Sequence, residues 1–462
     1  MQALVIPRPL LVLKLLAVLQ FALFVAYFPF AIILTPYGDI FDWLTQYYNL
    51  ADQSLWQFLW TPHNGHPIVF TKLLTIGDAE LLGGLSYPAA LVCISMWLMV
   101  TAFAIIGVRR SVKHSQTRSW VTAAMVLLLF PTSSFSNFAY PVNSAFVIVS
   151  FFVFIACVLL AHTAVLKAEQ RSGIITFFVI SLIVAGCASV SAMNGLIVWP
   201  ILIWIAWSLD LGRNKLAAIG AMAVFFALLF GFSHSGPGED ISSIVTLGDI
   251  PQILRYLAEF HGMPWTEVGP LYWPSTILGA MIFFAGIVFS LRGILASRAL
   301  APHDVVATAM LIFGLSTAVM IAIGRYKMGL LPAHRYGIFL QIIYVSQLVI
   351  NMPVFERWMN DGRKCAKLLL VSLVFALGYL GQQVAVGQFS VERAHAFAQH
   401  EKDILAGNAK PLALKAIYFY RVNRIEGFYR LLKEQKIYMF RPNETLNSLD
   451  KPEEMQRRDE AI

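Results

Sequence analysis

From Leu10 to Leu34 the chain is apolar almost without interruption, and a helix of that length crosses a hydrocarbon core of about 30 Å with some tilt. Further runs long enough to span follow at Pro88–Val108, Ser119–Asn137, Val142–Leu166, Ile174–Met193, Gly195–Leu209, Leu216–Phe232, Trp273–Leu291, Val305–Ile323, Gly337–Val354 and Leu368–Val386. The pattern therefore predicts an all-α polytopic membrane protein of about 11 transmembrane helices. The third run is interrupted by Pro131 and the sixth is short, so each has the alternative of entering and leaving on one side. Polar residues collect in three segments: Thr35–Tyr87, Ser233–Tyr272, and Gly387–Ile462. Within the first, Leu50–Trp60 and Val69–Leu82 carry apolar residues at helical spacing and predict helices lying in the interface. Ile250–Phe260 predicts an amphipathic helix in the second, and Leu412–Lys436 a helix in the third. The chain thus divides into a transmembrane domain, 1–386, and a small soluble tail, 387–462.

Composition agrees: 58% of the 462 residues are hydrophobic and 13% charged, against roughly 25% charged in an average soluble domain. The first run is too long for a signal-peptide core and predicts an uncleaved span. Short loops rich in Lys and Arg stay cytoplasmic. With the N-terminus inside, sixteen such residues, including Lys14, Arg109 and Arg118, fall on the inner side, against five outside. This bias predicts a C-terminus outside, a site facing outward, and no need for nucleic acid to explain the net charge of +8. Cys93, Cys157 and Cys187 lie in spans and Cys365 in an inner loop, which implies no disulfide framework. No P-loop or dinucleotide fingerprint is present.

Candidate chemistry concentrates in the outer segments. TPYGDIFDWLTQYY places Asp39 and Asp42 three residues apart immediately after the first span, on one face of a helix if the segment is helical. Such acids either cap a helix or, partly desolvated, serve as a base. TPHNGHPIVF adds His63, Asn64 and His66, with Lys72 following. These residues suit hydroxyl binding or tuning of an aspartate; two imidazoles and a distant acid fix no metal geometry, so a divalent metal is not required. GRYKMGLLPAHRYG gathers Arg325, Lys327, His334 and Arg335 between two late spans. Cations on the outer side oppose the usual charge bias and call for an anion; phosphate fits, since Arg matches its oxygens bidentately. Snorkelling anchors are the other reading. Asn137, Asn143, Ser189, Ser191 and Asn194 fall near outer helix ends, while Trp199, Trp204 and Trp207 suggest an interfacial belt.

With an acid just after the first span, interfacial helices in the first outer loop, a late cationic loop and an outer tail, the architecture resembles the GT-C glycosyltransferases. The residues that carry the likeness are GDIFDW, PHNGHP and GRYKMGLLPAHRYG. Asp-Ile-Phe-Asp replaces the Asp-Glu pair common in the lipid A aminoarabinose and protein mannosyltransferase branches, and either aspartate can match. The resemblance implies sugar transfer from a polyprenyl-phosphate carrier to a glycan, lipid or protein acceptor outside a bacterial inner membrane. Asp39 or Asp42 would act as base, and Arg325, Lys327, His334 and Arg335 would hold the carrier phosphate. Asn64, His63, His66 and Lys72 would contact substrate. An O-antigen ligase or polymerase is a rival that works on the same side. A lipid or sugar transporter is another, although no matched pair of broken helices marks a midplane site.

Overall fold

The computed structural model describes residues 8–34, 36, 38–49, 54–63, 67–233, 245–265, 272–328, 332–406 and 425–440. Its elements are helices: α1 (Arg8–Ala31), α2 (Asp39–Tyr48), α3 (Leu55–Trp60), α4 (Val69–Leu82), α5 (Tyr87–Ser111), α6 (Ser115–Leu129), α7 (Phe135–Ala139), α8 (Ser144–Ala168), α9 (Ile174–Ser189) and α10 (Val198–Ser208). The second half adds α11 (Arg213–Ser233), α12 (Ile250–Gly262), α13 (Tyr272–Leu295), α14 (Pro302–Arg325), α15 (Gly337–Ile350), α16 (Met352–Asn360), α17 (Gly362–Leu405) and α18 (Ile425–Gln435). Seven helices are long and apolar enough to cross a membrane, or up to nine if the bent pairs α6–α7 and α15–α16 each count as one span. The chain is thus an all-α, multi-pass membrane protein. Every predicted run is helical, but α9 and α10, at the fifth and sixth, fall short of spanning length.

Central position follows from which helices bury their surface. In α8 and α14 67% and 61% of the apolar stretch is covered, against 28% in α1, α5 and α13, whose outer faces are left to lipid. Around this centre α8 packs on α9 and α14 on α15, while α17 lies along α1. Gly262 on α12 and Gly279 on α13 let two backbones touch: a Cβ on Gly279 would stand 2.0 Å from the Ala258 carbonyl oxygen.

Pro131 does break the third run. α6 and the helical stretch that follows it meet at 42°. Two carbonyls freed there are bonded by side chains from other helices: Trp97 Nε1 donates to Leu129 at 2.7 Å, and Gln20 Nε2 to Phe130 at 2.7 Å. Gln383 Oε1 accepts from Ser133 N at 3.2 Å, and Gln341 donates to Ser134 Oγ. Non-helical backbone is tolerated at such depth only when buried and satisfied in this way.

Outside the spans, local chemistry starts and stops each helix. Ser54 and Gln57 form a capping box on α3, and Gly83 ends α4 in the left-handed region. Val69–Leu82 and Ile250–Phe260 form as predicted; of the predicted Leu50–Trp60 and Leu412–Lys436 the described helices are Leu55–Trp60 and Ile425–Gln435, with 50–53 and 412–424 outside the described residues. The predicted boundary at 386/387 falls inside α17, which Asp361 caps and which runs on for 44 residues. At 1.5 Å per residue that is about 66 Å, twice a hydrocarbon core, so its last turns project beyond the bundle. Trp199 is also not in a belt: it is buried, donates to Ser189 Oγ at 2.9 Å and stacks on Phe226, while Trp207 is exposed under Arg298.

The projecting end of α17 and α18 close over α2. Phe428 stacks on Phe41 at 5.0 Å, Ala394 and Phe397 join the same apolar cluster, and Tyr438 N donates to Gly83 O at 2.6 Å. Gly84, at φ +78°, lies under the Tyr438 ring, 2.7 Å from where a Cβ would be. Gly84→Val therefore meets both a clash and a left-handed backbone cost of about 1–2 kcal/mol. It is expected to free residues 425–440 to protease while the protein still inserts, as read by limited proteolysis of membranes.

Candidate functional site

The C-terminal end of α1 leads toward α2 through Gly38, whose φ of +58° turns the chain sharply. Asp39 and Asp42 then occupy the first helical turn, where carboxylates suit the positive end of the helix dipole. Ile40, Phe41, Trp43 and Leu44 are buried, which fixes the rotation of α2 and leaves both acids partly exposed. At its far end Tyr47 and Tyr48 hydrogen-bond Glu80 on α4, so the helix is held from both ends.

Fixed in this way, Asp39 meets His63. Nε2 of the imidazole lies 3.2 Å from Asp39 Oδ2. Trp43 Nε1 donates to His63 Nδ1 at 3.2 Å, its ring edge-on to the imidazole at 5.0 Å. Indole nitrogen is a donor only, so Nδ1 accepts and the imidazole proton sits on Nε2, aimed at the carboxylate. Trp43, His63 and Asp39 therefore form a relay with one direction.

Residues nearly 300 positions away act on the same carboxylate. Burial pushes the Asp39 carboxyl up, but the hydrogen bond from His63, with the charges of Arg335 and Arg325, outweighs it and holds Asp39 below its ordinary value. Arg325 ends α14, and Arg335 sits in the short turn His334–Tyr336 that leads into α15, its guanidinium 5.2 Å from the Tyr336 ring. That turn packs on the broken helix at 132–139, which joins the late loop to the first.

Lys327 is exposed over Tyr326 at 5.5 Å, and its charge acts on Asp249 at the start of α12. His334 is half-buried in the same turn as Arg335, and Asp42 stands one turn beyond Asp39. Asn64 and His66 lie outside the described residues. Lys72 is buried and turned inward: its ammonium donates to the carbonyls of Phe58 and Thr61, each at 2.7 Å, and lies 4.5 Å over the Phe58 ring. Burial lowers its pKa to about 8. Its place is that of a brace closing α3 onto α4. Among the described residues no three of His, Cys, Asp and Glu gather as metal ligands would.

Two contributors carry no signal in the sequence. Trp43 reads there as an apolar residue of an amphipathic helix. Tyr256, on the buried face of α12, feels the charges of both Arg325 and Arg335; burial first, and Tyr336 next, raise its phenol to about 12. Only packing of α12 against the end of α14 brings it there.

Trp43→Phe keeps the ring and removes the donor, at a cost of about 1 kcal/mol. The imidazole proton is expected to spread over both nitrogens, which isotope-labelled histidine resolves by nuclear magnetic resonance; an unchanged Nε2–H signal for His63 would remove Trp43 from the relay.

No protein-family model matches this chain, and no curated protein matches it.

Proposed function

We propose that the protein transfers a sugar from a polyprenyl-phosphate carrier to an acceptor hydroxyl on a glycan, lipid or protein. The observation that carries this reading is the hydrogen-bonded pair of Asp39 and His63, on whose carboxylate the charges of two guanidinium groups from late in the chain, Arg325 and Arg335, also act. Displacement at an anomeric carbon needs these two functions. The acceptor oxygen attacks, its bond to the anomeric carbon forms as the bond to the carrier phosphate breaks, and the hydroxyl proton passes to Asp39. A low carboxylate pKa suits the task because the hydroxyl becomes acidic as its oxygen bonds to carbon. Arg325 and Arg335 offset charge building on the departing phosphate, with Lys327 and His334 at the rim. His63 positions Asp39, and Asp42 is placed to bind acceptor. No step here draws on a metal.

In this reading the chain is a GT-C-type enzyme of the bacterial inner membrane. The short helices α9 and α10 complete eleven crossings, and the site faces the periplasm. The ring of lipid-exposed helices around α8 and α14 supports a bundle from which a polyprenyl chain can present its phosphate at headgroup depth.

Asp39→Asn is expected to lower transfer about 10²–10⁴-fold with normal insertion, measured with a polyprenyl-phosphate sugar. Arg325→Lys should restore only part of what Arg325→Ala loses, because an ammonium lacks the bidentate fork. Equal donor affinity in both would remove the phosphate site. The pH profile has a definite sign. Asp39 is held low, so activity persists into acid and falls as pH drops through that low value. Arg335→Ala removes a cation that depresses it, and the acid limb should move to higher pH.

A reporter joined after Ile462 and active only outside the cytoplasm is expected to work. Activity of a cytoplasm-only reporter there would reverse the orientation and with it the outward site.

A further inference from the structure

At the opposite end of α1 from Asp39, a cavity of about 330 Å³ opens between α1, α5 and α6. Three cations line it: Lys14 in the second turn of α1, Arg109 in the last turn of α5 and Arg118 in the first turn of α6. No carboxylate is among the lining residues, whose remaining walls include Ala17, Val18 and Val126. Among the described residues Lys14 and Arg109 have neither a hydrogen bond nor an ion pair. Arg118 is held in place: Nε and Nη2 donate to the Val112 carbonyl at 3.3 and 3.0 Å, which leaves Nη1 uncommitted.

Three like charges around one cavity repel, and an anion between them would relieve that repulsion. Lys14 is the sharper sign, since it lies about 9 Å inside the start of a helix whose other charged residue, Arg8, stands at its first position. One helical turn further, Val18 is 66% exposed on the lipid-facing side of α1 and lines the same cavity. The cavity therefore has a cationic head, with the hydroxyl residues Ser119 and Thr122 beside it, and an apolar flank on the exposed side of α1.

We infer that this groove binds the phosphate of an anionic phospholipid, with an acyl chain lying along Val18 and Val126. Phosphate chemistry alone would also admit the free ion; the apolar flank favours the lipid. The inference stands independently of what the outer site does.

The test uses full-length protein in neutral detergent, with phosphatidylglycerol, phosphatidylcholine and inorganic phosphate as probes and retained lipid read by native mass spectrometry. Lys14→Gln with Arg109→Gln should weaken phosphatidylglycerol retention on the order of tenfold. Arg213→Gln with Lys215→Gln removes the same charge elsewhere and should leave it unchanged. An equal loss in both pairs would mean general attraction to a basic surface and overturn the site, as would full retention in the first. Val18→Trp keeps all three cations, fills the flank at an exposed position and should also reduce retention, so the proposal does not depend on folding of the charge variants. Retention unaffected by Val18→Trp overturns the acyl-chain assignment. Displacement of the lipid by inorganic phosphate, or equal retention of phosphatidylcholine, overturns the choice of an anionic lipid.

Discussion

A peptide group cannot be left unbonded in hydrocarbon, and the break at Pro131 is where this constraint shapes the molecule. Trp97 and Gln20 supply the hydrogen bonds that the helix gives up at Leu129 and Phe130, and Gln383 and Gln341 bond the segment that follows. Those donors and acceptors come from α5, α1, α17 and α15, so the four helices are tied to one interrupted span. The tie also sets the height at which 132–143 emerges, against α2 on one side and the turn His334–Tyr336 on the other. Loops far apart in sequence are therefore placed by the same few polar contacts.

Around that anchor, α2 is packed from several sides. α2 is clamped beneath by apolar packing, laterally by Glu80 and from outside by α17 and α18. Lys72 performs a related task one layer out, where its ammonium gathers the last carbonyls of α3 and keeps His63 next to α2. Truncating Lys72 would take the ammonium donor from both carbonyls and leave that of Phe58 with the Thr61 N–H alone. An effect of such a change on the site would therefore reach it through the loop that carries His63.

Electrostatics divides the two ends of the bundle. At one end the Asp39 carboxylate is held low by the hydrogen bond from His63 and by the charges of Arg335 and Arg325. At the other, Lys14, Arg109 and Arg118 stand together with no acid in the cavity they line. The two clusters differ in that only the first contains a carboxylate, a group able to take a proton.

By itself the sequence determined the membrane class, the helical nature of each apolar run and the extent of α4. Hydropathy and helical periodicity are local properties, and a lipid solvent leaves the backbone few alternatives to a helix. Whether α9 and α10 reach across, that α17 continues past residue 386, and that Trp199 is buried depended on neighbours contributed by other parts of the chain. The same holds for the site. Asp39 was legible as an acid at a span end, but its pairing with His63, the orienting indole of Trp43 and the presence of Tyr256 were not. A side chain's direction is set by the rotation of its helix, and that rotation is decided by contacts between segments far apart in sequence.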